Sequence, residues 1–256
     1  MKSTYLIKLL PVTVASLLLS LGISSPSFAN NVSSDGVRQG LPGRRISGGV
    51  RMEPPADSCF SDFNQSLVSI MPRNNLGTTS ESHPTFWFSM PETSGEKAVE
   101  FQLMNESDDL IYTAQVNVSD AAGLSEFKLP DSAPALAMNE NYKWVFSMAC
   151  NNGSRSPVLA LQGWVRRVEI AADVSAQIMA ASPEDQIALY RSAGLWHEQI
   201  STLLNLRRQS SEGVALQVAW SDLMASTGLT SEVSDDVLDQ MSVVTPSVDT
   251  VTLSSF

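Results

Sequence analysis

Histidine, like cysteine, is scarce among the residues that do acid–base and metal chemistry in this chain. It occurs only as His83 and His197. His83 stands before Pro84 with Glu81 two positions upstream, so a metal ligand or general base is one reading. A catalytic zinc site asks for three protein ligands, and a His–Glu pair two residues apart belongs to no recognised set. The expectation is therefore a turn residue whose ring bonds to backbone. His197 follows Trp196 in a helical stretch and lines up with Ser201 and Arg208, a polar face, which reads as solvated. No serine sits in Gly-x-Ser-x-Gly, and no Ser-x-x-Lys has its supporting motifs. A triad can still assemble in space, and so can a carboxylate pair for glycoside cleavage. The adjacent pairs Asp108–Asp109 and Asp235–Asp236 read as solvated turn chemistry. The glycine-rich "GLPGRRISGG" (40–49) has no Lys followed by Ser or Thr, contains a Pro, and follows no strand pattern, so it is a poor phosphate cradle. No catalytic set, metal site or cofactor is expected.

The two cysteines, Cys59 and Cys150, read as a disulfide in an oxidising compartment. Closing so long a loop stabilises by roughly 4–5 kcal/mol at most, through the unfolded state. Residues 1–29 have the pattern of a secretory signal peptide: Lys2 and Lys8, an apolar run from Leu9 to Ile23, and Ser27-Phe28-Ala29 at the cleavage point. The apolar run is shorter than the ~20 residues that span a bilayer. A periplasmic or extracellular protein follows, with no stable membrane insertion after cleavage. Loss of Lys2 and Lys8 takes the net charge from -11 to -13, which repels nucleic acid and anionic surfaces. The charge is also uneven. Arg38, Arg44, Arg45 and Arg51 lie near the start, whereas no Lys or Arg follows Arg208. The ends read as solvated segments or, more sharply, as an electrostatic contact through Arg44 and Arg45 with a partner.

These residues must be positioned by two kinds of element. Residues 30–58 are poor in apolar side chains and read as a flexible Gly/Arg-rich lead-in. Residues 59–170 form the expected β domain, in which the pattern from Ser66 to Ile170 alternates with period two. Seven segments stand out: "SLVSIM" (66–71), "TFWFSM" (85–90), "AVEFQLM" (98–104), "DLIYTAQVNV" (109–118), "LSEFKL" (124–129), "NYKWVFSMAC" (141–150) and "SPVLALQGWVRRVEI" (156–170). Short strands with regular turns predict an antiparallel β-sandwich. An immunoglobulin-like order fits only loosely, because Cys59 precedes the first clear strand and Met148 stands where a tyrosine corner would be. From 171 to 228 the period becomes helical. Ser182 is an N-cap with Pro183 behind it, Gly194 and Gly228 are stops, and Leu216, Trp220, Leu223 and Met224 form one stripe. The class is thus α+β, a sandwich followed by a small C-terminal helical module. Residues 229–256 read as an acidic, disordered tail. With Phe86 and Phe88 inward, Trp87 falls on the opposite sheet face. Trp164 shares its face with Gln162 and Arg166. The helices cover both tryptophans, or else Trp87, Trp164 and Arg166 form a platform for a sugar or peptide.

The stretches "GLPGRRISGG", "SHPTFWFSMP", "YKWVFSMAC", "LQGWVRRVE" and "GLWHEQISTLLNLRR" together resemble a cyanobacterial family known only as domain of unknown function 928, over about Gly40 to Gly228. The resemblance implies an exported protein with a β domain and a helical C-terminal part, and an accessory role at the envelope. It implies no catalytic residue. The expected function is an exported, non-enzymatic binding or adaptor protein of the cell envelope with a protein partner. The rivals are a carbohydrate-active or cell-wall hydrolase, which requires a cleft holding two carboxylates, and a structural envelope component.

Overall fold

Period-two alternation places Val99, Phe101 and Leu103 on one face of a strand, and Tyr142, Trp144, Phe146 and Met148 on one face of another. All seven side chains are buried. The computed structural model describes residues 43–47, 59–60, 66–92, 95–119, 122–150, 158–209, 213–233, 237–238 and 240–244. They belong to one unit, Gly36–Phe256. Residues 1–29, where a signal peptide is expected, and Arg38, Arg51, Asp235, Asp236 and residues 245–256 lie outside the described residues.

The described residues form strands β1 (Val68–Ser69), β2 (Leu76–Thr79), β3 (Thr85–Met90), β4 (Glu96–Met104), β5 (Leu110–Ser119), β6 (Gly123–Lys128), β7 (Asn141–Cys150) and β8 (Leu159–Arg167). Helices α1 (Ala172–Ala180), α2 (Pro183–Ala193), α3 (Trp196–Gln209) and α4 (Val214–Thr227) follow, then strand β9 (Met241–Val243). There are two sheets, ordered β1-β3-β6-β9 and β2-β8-β7-β4-β5. Aromatic rings from the two sheets meet in a shared core. Phe88 stacks on Phe146 at 3.9 Å, and Phe101 on Phe127 at 4.3 Å. Cys59 and Cys150 are disulfide-bonded with Cα atoms 5.5 Å apart, beside this core.

The expected antiparallel pattern needs correction at two places. β2 runs parallel to β8, and β9 runs parallel to β6. Both strands escape a pattern search. β2 reads "LGTT", with one large apolar residue, and β9 is three residues inside an acidic stretch. The supposedly disordered tail is therefore ordered in its first part, with Leu229, Val233, Leu238 and Val244 buried. The lead-in is likewise ordered where it is described. Arg44 pairs backbone to backbone with Gln162 of β8, and Ile46 pairs with Val68 of β1. This short segment thus joins β8 of the five-stranded sheet to β1, an edge strand of the four-stranded sheet.

The helices cover the second face of the four-stranded sheet. Val68, Ile70, Trp87 and Leu124 pack with Ile200, Leu203, Leu204, Leu216, Trp220 and Leu223. Local chemistry sets the helix limits. The Ser182 hydroxyl accepts from the Asp185 N–H, with Pro183 opening α2. Gly194 and Gly228 end α2 and α4 in the left-handed conformation, with φ of 73° and 70°.

Candidate functional site

The start of α3 carries "WHEQ", and three of these four side chains are buried against the sheets. Leu195, fully buried just before the helix, and the Trp196 indole, which donates to the Ile70 carbonyl at 3.0 Å, pin this end down. His197 is consequently not solvated. It is 3% exposed, and its Nδ1 lies 2.8 Å from the Thr85 carbonyl oxygen. That contact makes Nδ1 the protonated nitrogen. Nε2 faces the Gly77 backbone so closely that a Cβ added there would lie 2.3 Å away. Burial pushes the imidazole below its ordinary pKa, with the Thr85 hydrogen bond and Glu198 opposing. His197 is a packing residue, 3% exposed, that contributes to the lining of a cleft and sits edge-on to Phe86 at 5.0 Å.

Glu198 is the unexpected feature. Its side chain is 8% exposed in the first turn of α3, where the helix dipole favours an anion. Oε1 accepts from Ser80 N at 2.6 Å, Ser80 Oγ at 2.8 Å and Thr79 Oγ1 at 3.0 Å. Oε2 is buried and has no partner among the described residues. Glu198 is one of the residues lining a cleft of about 270 Å³ between α2, α3 and the sheets. Glu81, Glu126, Lys128, Tyr190, Ser201 and Asn205 share that cleft. Burial raises the Glu81 carboxyl above its ordinary pKa, Glu198 adds to the rise, and Lys128 opposes it. The Tyr190 phenol is raised by burial and then by both carboxylates. Glu126 is ion-paired with Arg208 at 3.1 Å, and the Arg208 guanidinium lies 5.6 Å over the Trp87 ring. A second cavity of about 360 Å³, lined in part by Leu76, Trp196 and Leu223, lies beside β2.

Of the residues considered from sequence, Glu81, His197 and Ser201 line this cleft, whereas Trp87, Trp164, Arg166, Arg44 and Arg45 do not. Trp87 is 2% exposed, covered by the helices, and donates to Ser201 Oγ at 3.0 Å. Trp164 is 9% exposed and packs with Leu76. The outward aromatic platform is therefore absent, and Trp87 serves as a support for Ser201. Arg166 lies beside Trp164 in β8, half-buried. Arg45 does not reach outward. Its guanidinium donates to the Met71 carbonyl at 3.1 Å and the Thr227 carbonyl at 2.9 Å, so it closes the end of α4. Arg44 is exposed, held by its backbone. His83 contacts Ser82 Oγ and the Ala133 carbonyl, each at 3.0 Å, as a turn residue bonded to backbone. Among the described residues no group of three His, Cys, Asp or Glu side chains is arranged to hold a metal ion, and no helix is long and apolar enough to cross a membrane.

The pattern of the family described as Domain of Unknown Function (DUF928) matches residues 46–237. The match takes in both sheets up to β8, all four helices and every residue of the cleft. No curated protein matches the chain.

Proposed function

The chain belongs to the DUF928 family, and for it we propose the role of an exported, non-enzymatic binding protein of the cell envelope, built on a disulfide-braced β-sandwich. The carrying observation is the polar cleft at the start of α3, with Glu198 half-satisfied in its wall. Glu81, Lys128, Tyr190, Ser201 and Asn205 line the cleft besides Glu198, and a concave space with convergent polar groups fits a binding site. The acid–base groups nearby are engaged otherwise. His197 is packed against Gly77, and Glu126 is paired with Arg208. The disulfide fits an oxidising compartment, and the leader-like residues 1–29 supply the route. The cyanobacterial envelope implied by the family resemblance is the setting we infer.

The test is retention of envelope-derived material on immobilised protein, compared with Glu198→Gln and Ser201→Ala. The expected result is one component retained by the wild type and released by both substitutions. Equal retention by all three proteins, or none, would remove the cleft from the account. One observation favours a second reading. Glu81, with a raised pKa, and Glu198 share a cleft as an acid and a carboxylate do in glycoside cleavage. That reading requires release of reducing ends from cell-wall glycan by the wild type and loss of release in Glu81→Gln.

A further inference from the structure

We propose that the cavity beside β2 is a second binding site, which takes a small carboxylic acid with an apolar body. It is separate from the polar cleft, and the two share no lining residue. At about 360 Å³ it stands at the small end of the range for small-molecule sites, roughly 300–1,000 Å³. Pro72, Leu76, Trp196 and Leu223 give it apolar walls. The Trp196 indole is held in place by its hydrogen bond to the Ile70 carbonyl. Three polar side chains of the lining are engaged with backbone. Asn74 Oδ1 accepts from the Leu76 N–H at 3.2 Å, the Thr78 hydroxyl donates to the Gly194 carbonyl, and the Ser226 hydroxyl donates to the Leu223 carbonyl at 2.7 Å. Gln199 and Arg191 are not so engaged. Gln199 is 7% exposed, yet its side-chain amide has no hydrogen-bond partner among the described residues. Neither amide atom is among the unpaired atoms closed off from solvent, so the amide opens on the space that Gln199 lines. A polar group buried to this degree is ordinarily paired, and the contents of the cavity supply its partner. The Arg191 guanidinium likewise makes no hydrogen bond among the described residues. Its ion pair with Asp222 is long, at 3.7 Å, and both side chains are 59% exposed, so solvent screens it.

Charge narrows the class. No Asp or Glu lines the cavity, although the chain carries 27 acids against 16 bases. Arg191 is the charged residue of the lining, and its fork matches both oxygens of a single carboxylate. A phosphate group carries more charge than one exposed guanidinium offsets. The apolar walls suit a ring or a short alkyl chain, and the Gln199 amide offers both donor and acceptor to the polar end of the ligand.

Phenylacetate and hexanoate, the neutral amide of each, and acetate are titrated calorimetrically into the full-length protein at pH 7. At least one of the two longer acids is expected to bind with a Kd of about 1 mM or tighter, and its amide to bind about fivefold or more weakly. Arg191→Met changes an exposed side chain and is expected to bring the acid down to the affinity of the amide. Gln199→Met keeps the length of the side chain and removes its amide. It is expected to weaken the acid by about fivefold, with thermal melting as the check on its fold. If that variant does not fold, Arg191→Met decides alone. Equal binding of acid and amide by the wild type would overturn the proposal. So would acetate binding as tightly as the longer acids, acid binding unchanged in either folded variant, or no heat from any probe up to about 10 mM. The envelope-retention test of the polar cleft is read on Glu198 and Ser201, so failure at one site leaves the other standing.

Discussion

At the scale of single residues, His197 links stability to pH. Its folded pKa is depressed by burial, so below about pH 6.5 the unfolded chain binds a proton that the folded chain refuses. The stability it supports is complete above that pH and falls as pH drops, at up to about 1.4 kcal/mol per pH unit for one proton. Glu81 has the opposite sign. Its raised pKa favours the fold at low pH, and its exposure keeps that contribution small. Net loss of stability is expected between pH 6.5 and pH 5, read as a falling urea midpoint. His197→Gln should flatten that slope, and an unchanged slope would assign the pH dependence elsewhere. The same contact makes Gly77 irreplaceable. An added Cβ 2.3 Å from Nε2 must displace a ring that is wedged between Phe86 and the sheet. Gly77→Ala should therefore cost about 1–3 kcal/mol by overpacking, measured by denaturant unfolding.

At the scale of elements, the C-terminus of α4 is held by two arginines from outside it. Arg45 caps Thr227, and Arg73 donates to the Ser226 and Ala225 carbonyls at 3.0 and 3.2 Å. The last carbonyls of a helix lack internal partners and carry partial negative charge, so cationic donors suit them. Arg45→Met should cost about 1.5–3 kcal/mol, since its hydrogen bonds are charge-assisted and half-buried. Arg73→Met is expected to cost less because it is exposed, and equal costs in chemical denaturation would contradict this ranking. Arg45 also shows the limit of sequence reading. Its charge and glycine-rich neighbours look like a solvated arm, and the carbonyls it meets lie 26 and 182 residues away. Periodicity reveals the large strands and the helix stops, because alternation and the Ser182, Gly194 and Gly228 signals are local. It does not reveal β2 or β9, whose partners are remote and whose own residues are few. The cleft is hidden for the same reason. Glu81, Glu126 and Glu198 are distant in sequence, and only docking of α3 brings them together. The one local cue is the polar run "HEQ" between Trp196 and Ile200, three polar side chains that are all buried at the start of α3.

At the scale of the whole molecule, the segments flanking the β core brace it. Residues 44 and 46 tie β8 of one sheet to the edge strand β1 of the other, β9 forms the far edge of the four-stranded sheet, and Cys59 ties the end of the lead-in to β7. The disulfide spans 91 residues, so most of its effect falls on the unfolded chain. Without the bond, the unfolded ensemble regains the freedom of a long loop, worth about 3–5 kcal/mol. Cys59→Ser with Cys150→Ser should therefore lower the unfolding free energy by about that amount and raise the denaturant m-value, because a chain without the crosslink expands further. Two measurements separate this from a purely local packing loss. If only native contacts around Cys59 and Phe60 mattered, the midpoint would fall with m unchanged, and reduction of the wild type would reproduce the double substitution without the change in slope. If the entropic account holds, m rises in both. The cleft should survive at low denaturant in either case, since its walls come from α2, α3, β2, β3 and β6 with no contribution from Cys59 or Cys150. Loss of ligand binding in the folded, disulfide-free protein would show that the bond sets the approach of the two sheets and not only the cost of unfolding them.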